Sequence, residues 1–263
     1  MLPELKSAKA KSPRATVLVA HGYAEHYGRY HALTKALQNA GYDVYGYDHP
    51  GHGRTGGPRA RVDVGHLIRV HQDVRRQVLR EMRTRKLFLF GHSMGGLVTA
   101  ASALLRPRGV AGVCLSGPAF ETAPVPTWAF APLGILARVL PGLPLISLEA
   151  SAVSRDRAVV ADYERDPLNY HGRVPALTAI TMVRNGYQAL RRAQQWSLPL
   201  LVFQGTADKL VNPRATERFA RSATRGSADV TYVPVRDAYH EVFNEPQAPE
   251  LRAQLIAWLN ERI

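Results

Sequence analysis

Gly91-His92-Ser93-Met94-Gly95 is the stretch of this 263-residue chain whose spacing most directly specifies chemistry. It has the G-x-S-x-G form of a nucleophile elbow, after an apolar run at 87–90 and before a helix-forming run at 97–105. A tight strand-to-helix turn needs small residues around the serine and holds the hydroxyl out at the end of a sheet. A serine hydroxyl is a weak nucleophile, so a base must take its proton and a third group must orient that base. Enzymes built on this turn carry the acid and then the histidine later in the chain, each on a loop after a strand. Asp208, beyond the run 200–203, and His240, beyond the run 229–233, meet both conditions. Asp237 is the rival acid, but it lies three residues from His240 in the same loop and reads as a turn former.

Attack by Ser93 on a carbonyl builds negative charge on the substrate oxygen, which two backbone N–H groups must receive. Met94, at the start of the helix after the elbow, supplies one. The other is expected from Tyr23, in His21-Gly22-Tyr23 after the strand candidate 16–20.

The elements that position these residues alternate between strand-like and helical patterns, the signature of a parallel sheet covered on both faces. Strand candidates are 16–20, 42–47, 86–90 and 110–115, followed later by 200–203 and 229–233. Helices are predicted over 30–39, 66–85, 214–222 and 249–260 from apolar positions three and four apart. In the helix at 66–85, Leu67, Val70, Val74, Val78 and Met82 form the inner stripe, and Arg69, Arg76, Arg80 and Arg83 the outer face. Between 118 and 196 prolines and helical fragments replace the rhythm, with no clear strand, so this segment reads as an insertion folded over a core of 15–117 and 197–263. Its apolar stretch 128–148 is long, but Pro132, Pro141 and Pro144 argue against one continuous spanning helix.

Composition narrows the function less. The net charge of +13 suggests acidic partners, yet no nucleic-acid-binding module is recognisable. Nine arginines against three acids between Arg54 and Arg85, with the basic first fifteen residues, hold most of the excess away from the proposed catalytic loops. A solvated helix face and a mobile basic arm over 1–14 account for it, with a preference for anionic lipid surfaces. The arm has no apolar stretch of the signal-peptide kind, so a cytoplasmic protein with peripheral membrane contact is expected. The single cysteine, Cys114, lies in an apolar run and reads as a buried core residue. No H-E-x-x-H or comparable ligand spacing suggests a metal site.

Four motifs together carry a family resemblance. His21-Gly22-Tyr23-Ala24-Glu25-His26-Tyr27-Gly28-Arg29-Tyr30 resembles the HG-x-x-EH-x-x-RY block of monoacylglycerol lipases, and Tyr47 to Arg54 resembles their D-H-x-GHG-x-S segment. Gly91 to Gly96 is similar to their GHSMGG elbow, and Asp166-Pro167-Leu168 to a short cap motif. The resemblance implies an α/β-hydrolase fold, a mostly parallel sheet flanked by helices, with a helical cap over 118–196 inserted after the sixth family strand. It implies cleavage of monoacylglycerols to glycerol and fatty acid without cofactor or metal. Ser93, Asp208 and His240 then form the triad, with Tyr23 and Met94 as oxyanion donors. Glu25 and Arg29 match positions near the glycerol head group, where they could equally brace the oxyanion loop as an ion pair, and His92 joins them in the expected substrate-binding set. Three departures stand out. The N-terminal edge strands of the sheet are expected to be missing, Thr55 replaces a serine, and Phe243 stands where some relatives carry a histidine reaching the head group. A broader carboxylesterase or lysophospholipase would use the same triad, and a catalytically silent binding protein would keep the fold alone.

Overall fold

The computed structural model describes residues 2–227 and 229–263. In chain order the first half runs β1 (Lys6–Ala8), β2 (Ala15–Ala20), α1 (His31–Asn39), β3 (Tyr42–Tyr47), α2 (Val64–Glu81), β4 (Leu87–His92), α3 (Ser93–Leu105) and β5 (Gly112–Ser116). After β5 come α4 (Phe130–Val139), β6 (Pro144–Ile146), α5 (Arg157–Arg165), β7 (Val174–Pro175) and α6 (Ala176–Arg192). The chain closes with β8 (Leu200–Gly205), α7 (Pro213–Ala223), β9 (Val230–Val235) and α8 (Ala248–Asn260).

Seven strands form one sheet in the order β1-β3-β2-β4-β5-β8-β9, parallel except where β1 meets β3. Strands β2 through β5 and β8 are buried along their whole length, which is why they read as near-continuous apolar runs in the sequence. Alternate residues feed two cores. Leu18, Leu89 and Val113 pack with Leu67, Val74 and Leu97 of α2 and α3 on one face. Val17, Val44 and Phe90 pack with Leu33, Leu37 and Leu255 of α1 and α8 on the other. Cys114 is buried in the second core. Helix α2 is opened by Asp63, whose carboxylate accepts the His66 N–H at 3.0 Å, and it stops four residues short of the predicted end because Met82 turns extended. Arg75, on its inner side, is buried and donates to Ser102 Oγ at 2.8 Å and the Arg106 carbonyl at 2.7 Å at the end of α3.

Two sequence expectations need correction. The sheet does keep a short N-terminal edge, because β1 pairs antiparallel with β3, Lys6 opposite Gly46 and Ala8 opposite Val44. The arm expected to be mobile over 1–14 is instead fastened by its own charges. Lys6 Nζ reaches Asp48 at 2.8 Å, Lys9 bonds the Tyr45 hydroxyl, and the Ala10 N–H donates to Asp43 at 2.8 Å. Met1, also assigned to the arm, lies outside the described residues.

The segment from 118 to 196 adds no strand to the main sheet, although β6 and β7 pair with each other where no strand was expected. The apolar stretch 128–148 is broken: α4 holds Pro132 in its first turn, ends before Pro141 and gives way to β6. Among the described residues no helix is long and apolar enough to cross a membrane. Trp128 and Val139 nevertheless stand 78% and 69% exposed at the surface of this segment, beside exposed Ile135 and Leu140.

Candidate active site

The parallel strands all deliver their carboxyl ends to one edge, where loops carry the ligand chemistry in open α/β sheets. Ser93 stands there at the β4–α3 junction with φ +52, a left-handed conformation that costs a non-glycine residue roughly 1–3 kcal/mol. Packing around the turn is close: a methyl added at Gly95 would lie 2.3 Å from the Ala20 and His21 carbonyl oxygens at the end of β2. The elbow's second glycine thus lets α3 start against the end of β2.

Asp208 follows β8 and His240 follows β9, and the turns bring them together at the serine. His240 Nδ1 lies 2.7 Å from Asp208 Oδ2, and Nε2 lies 2.8 Å from Ser93 Oγ. A carboxylate only accepts, so Nδ1 carries the proton and Nε2 offers its lone pair to the serine O–H. Asp208 is itself held: Gln204 Nε2 donates to Oδ2 at 2.9 Å, and the Leu210 and Val211 N–H groups donate to Oδ1 at 2.8 and 3.1 Å. Burial alone would raise the Asp208 pKa, but His240 and the Val211 and Leu210 N–H groups bring it below the ordinary carboxylate value. Burial likewise pulls His240 down, and the Asp208 carboxylate beside it, with Glu241 and Glu25 adding to it, more than reverses this, leaving the histidine easier to protonate than a free one. Asp237 is exposed at φ +55, its N–H donating to Thr206 Oγ1, so it forms the turn and stays out of the relay.

Met94 is the second residue of α3, so its N–H is one of the first-turn groups with no carbonyl within the helix to meet. Tyr23 lies beside the elbow in the loop after β2, and that loop is braced by Glu25. Its Oε1 accepts from the Gly22 N–H and the Tyr30 hydroxyl, each at 2.6 Å, while Oε2 meets Arg29 at 2.8 Å. Arg29 then reaches on to Glu241, so the predicted pair is part of a three-residue chain of charge. Burial raises the Glu25 pKa, only partly offset by Arg29, whereas the closer grip of Arg29 brings Glu241 down to about 2. His92 donates Nδ1–H to the Ser116 carbonyl at 3.0 Å, and its ring centroid is 4.8 Å from that of His240. Burial, with His240 adding to it, lowers the His92 pKa to about 3 and keeps the ring neutral.

Above Ser93 a cavity of about 910 Å³, counting the space at its mouth, is walled by Gly22, Tyr23, Glu25, His92 and His240 below and by residues of 118–196 above. Leu148, Val153 and Met182 make that upper wall apolar, and the partly exposed Ile146 and Leu148 stand at the rim. Arg29 does not line this cavity but a smaller one behind His92. A nucleophile, its base and orienting acid, and an apolar chamber are thus assembled in one place, an arrangement suited to acyl transfer from an ester with a greasy acyl group.

Sequence reasoning passed over Gln204 and Glu241. Each sits within four residues of a predicted site residue, but their roles depend on partners elsewhere in the fold: Gln204 Oε1 accepts from Thr216 Oγ1, and Glu241 meets Arg29 some two hundred residues away. The pairing of His26 with Asp166 at 2.8 Å was also missed, and it ties the resemblance's first motif to its cap motif.

Known proteins resemble the chain along most of its length. The family profile described as Serine aminopeptidase, S33, matches residues 11–247. A monoacylglycerol lipase of Mycolicibacterium smegmatis is 36% identical over 252 residues, covering 94% of this chain and 88% of that protein. The monoglyceride lipase of Rattus norvegicus is 30% identical over 259 residues, 96% of this chain and 84% of its own. The crystal structure of the Paleococcus ferrophilus monoacylglycerol lipase superposes with a TM-score of 0.87 at 32% identity, covering 99% of this chain and 100% of that one. The chain belongs to the monoacylglycerol lipase family of α/β-hydrolases.

Proposed function

We propose that this chain is a serine ester hydrolase that cleaves monoacylglycerols to glycerol and free fatty acid. The observation that carries the reading is the hydrogen-bonded series Asp208–His240–Ser93 at the floor of an apolar cavity. The names of the 36% and 30% identical relatives point to the same substrate.

His240, oriented by Asp208, takes the Ser93 proton as Oγ attacks the ester carbonyl. The carbonyl oxygen gathers charge toward the Tyr23 and Met94 N–H groups. Imidazolium then protonates the departing glycerol, and a water deprotonated by His240 hydrolyses the acyl-enzyme to release the fatty acid. Glu25 and His92, in the cavity wall, flank the head group. Arg29, committed to two carboxylates, acts through Glu25 by holding the loop that carries Tyr23. Phe243 packs 5.2 Å from the Phe90 and Phe203 rings, so the position adds an apolar group to the core where a polar head-group contact could have stood.

Residues 118–196 act as the cap. Its apolar wall receives the acyl chain, and its exposed Trp128, Ile135, Val139 and Leu140 rest on the membrane or micelle that supplies substrate. The enzyme then works as a peripheral cytoplasmic protein. Turnover of monoacylglycerols, lysophospholipids and short p-nitrophenyl esters, with Ser93→Ala as control, tests the reading. Monoacylglycerols should be cleaved fastest, and a preference for the short soluble esters overturns it. Sedimentation with anionic vesicles should lose bound enzyme when Trp128 and Val139 are both changed to serine.

A further inference from the structure

A second cavity lies beyond the first, and the wall between the two is thin. It is about 870 Å³, counting its open mouth, against about 910 Å³ for the chamber over Ser93. Val183 lines both. It belongs to a stripe of α6 in which Ala179 and Val183 face the first cavity and Val183, Tyr187 and Leu190 face the second. Steps of three and four keep those residues on one side of a helix, so the two cavities share a wall that runs on the order of 16 Å along α6. The chain after β5 crosses that wall at the same place: Thr122 lines the first cavity, while its neighbours Glu121 and Ala123 line the second. The crossing is held close beside Gly186, where an added methyl would lie 2.2 Å from the Phe120 carbonyl oxygen. Val183 and Thr122 are therefore the partition.

The second cavity is chemically suited to hydrocarbon. Glu121 is the one ionisable acid among its lining residues, and its carboxylate is turned to Arg218 at 2.7 Å and to the Asn212 amide. Val125, Phe130 and Leu190 supply apolar wall, and the Phe130 and Tyr187 rings meet at 5.3 Å between centroids. Val183 is only partly buried and borders both volumes, so its two methyl groups are the side-chain part of the partition and no packed core separates the cavities there.

We propose that the second cavity is a distal acyl site: long acyl chains bound at Ser93 pass between Val183 and Thr122 and bury their methyl ends against Val125, Phe130 and Leu190, making Val183 a determinant of chain length. This rests on the hydrolase reading above and specifies its substrate. Each methylene withdrawn from water strengthens binding about fourfold, so losing access to the second cavity costs long substrates more than about tenfold and short ones far less.

The experiment measures kcat/KM for octanoyl, lauroyl and palmitoyl monoacylglycerols, presented below aggregation or in matched detergent. The enzymes are wild type, Val183→Trp, Val183→Ala and Val125→Trp. Val183→Trp plugs the partition, and Val125→Trp fills only the far cavity, away from Ser93. Both should lower the palmitoyl-to-octanoyl ratio by about tenfold or more, and Val183→Ala should raise it. A ratio that stays at the wild-type value in both tryptophan variants, while octanoyl turnover and fluorophosphonate labelling of Ser93 persist, overturns the distal site and leaves the hydrolase reading standing. Failure of wild type to cleave any of the three esters overturns that reading, and the distal site with it.

Discussion

The Arg29 guanidinium grips the Glu241 carboxylate with two parallel bonds, Nη1 to Oε1 at 2.6 Å and Nη2 to Oε2 at 2.8 Å, on the residue directly after His240. The same Nη1 holds Glu25 on the loop of Gly22 and Tyr23. One buried cation thus spans the loop that bears the base and the loop expected to bear an oxyanion donor. Two carboxylates share it, and the uncompensated charge lies close enough to His240 to favour its protonated form, since Glu241 and Glu25 both raise the His240 pKa.

Glu241→Gln should therefore lower the His240 pKa. In a pH profile of kcat/KM, the acidic limb, where His240 becomes protonated and stops acting as base, should move to lower pH. A limb that stays in place would show that Glu241 acts only as a structural tie.

Stability should report the same pair. The Glu241 pKa, brought to about 2 by Arg29 against the effect of burial, lies below its unfolded value of about 4.3. The pair's contribution is thus present above the unfolded value and is lost as pH falls from there toward about 2. Arg29→Met strands two buried carboxylates and should destabilise the fold by about 3–5 kcal/mol at neutral pH in urea titration, with the deficit shrinking in acid.

Ser93 presents a different trade. Ser93→Ala should reduce kcat by roughly 10⁴-fold or more with the fold intact. Ser93→Gly should be equally inactive yet more stable than Ser93→Ala by about 1 kcal/mol, because glycine adopts φ +52 without steric cost. Urea midpoints of the two inactive proteins check this directly, and equal midpoints would mean the elbow is unstrained.

Asp208→Asn should cost about 10⁴-fold in kcat, because an amide that donates toward Nδ1 favours the wrong tautomer of His240. Gln204→Leu, which removes one donor from Asp208 and leaves the acid in place, should cost far less and should raise the Asp208 pKa. Steady-state kinetics on the two variants separates holding the acid from supplying its charge.

Lys6→Ala tests the N-terminal edge. Asp48, which lies under the loop of Gly51 and Gly53, accepts from Lys6, from the Tyr27 N–H at 2.9 Å and from the Arg54 N–H at 3.1 Å. Its pKa is lowered by these partners despite burial. Removing Lys6 takes away a half-exposed cation, so a loss of about 0.5–1 kcal/mol is expected, smaller in high salt. Thermal unfolding at two ionic strengths measures it.

The pattern of what was readable in the sequence follows from where information is local. Strands β2, β4 and β8 stand out because burial on both faces forces near-continuous apolar residues, and the elbow stands out because steric demand requires glycine around Ser93. The positions of Asp208 and His240 were legible through strand order, since each must follow a strand to reach the same sheet edge. Strand β1 was hidden because its three residues, Lys-Ser-Ala, carry no apolar pattern and are held by Asp48, just past the end of β3, which meets Lys6, and by Asp43 of β3, which meets Lys9 just beyond β1. Gln204 and Glu241 were hidden for a related reason: a buried polar group is explained by its partner, and Thr216 and Arg29 become partners only in the folded chain.

The polar ties at residues 153–155 have a consequence for how the chamber can open. Val153 accepts from the Glu241 N–H at 2.8 Å, Ser154 Oγ donates to the Asn244 carbonyl at 3.1 Å, and Arg155 meets Glu245 at 2.6 Å. This side of the roof is fastened to the loop that carries the base, so lifting it would pull His240 away from Ser93. Ile146 and Leu148 stand at the rim with half-exposed side chains, and Ile146 is paired with Val174 inside the same segment, away from the loop of the catalytic base. The roof is therefore hinged unequally: one side travels with the catalytic base as a single body, and the traffic of substrate and product falls to the other.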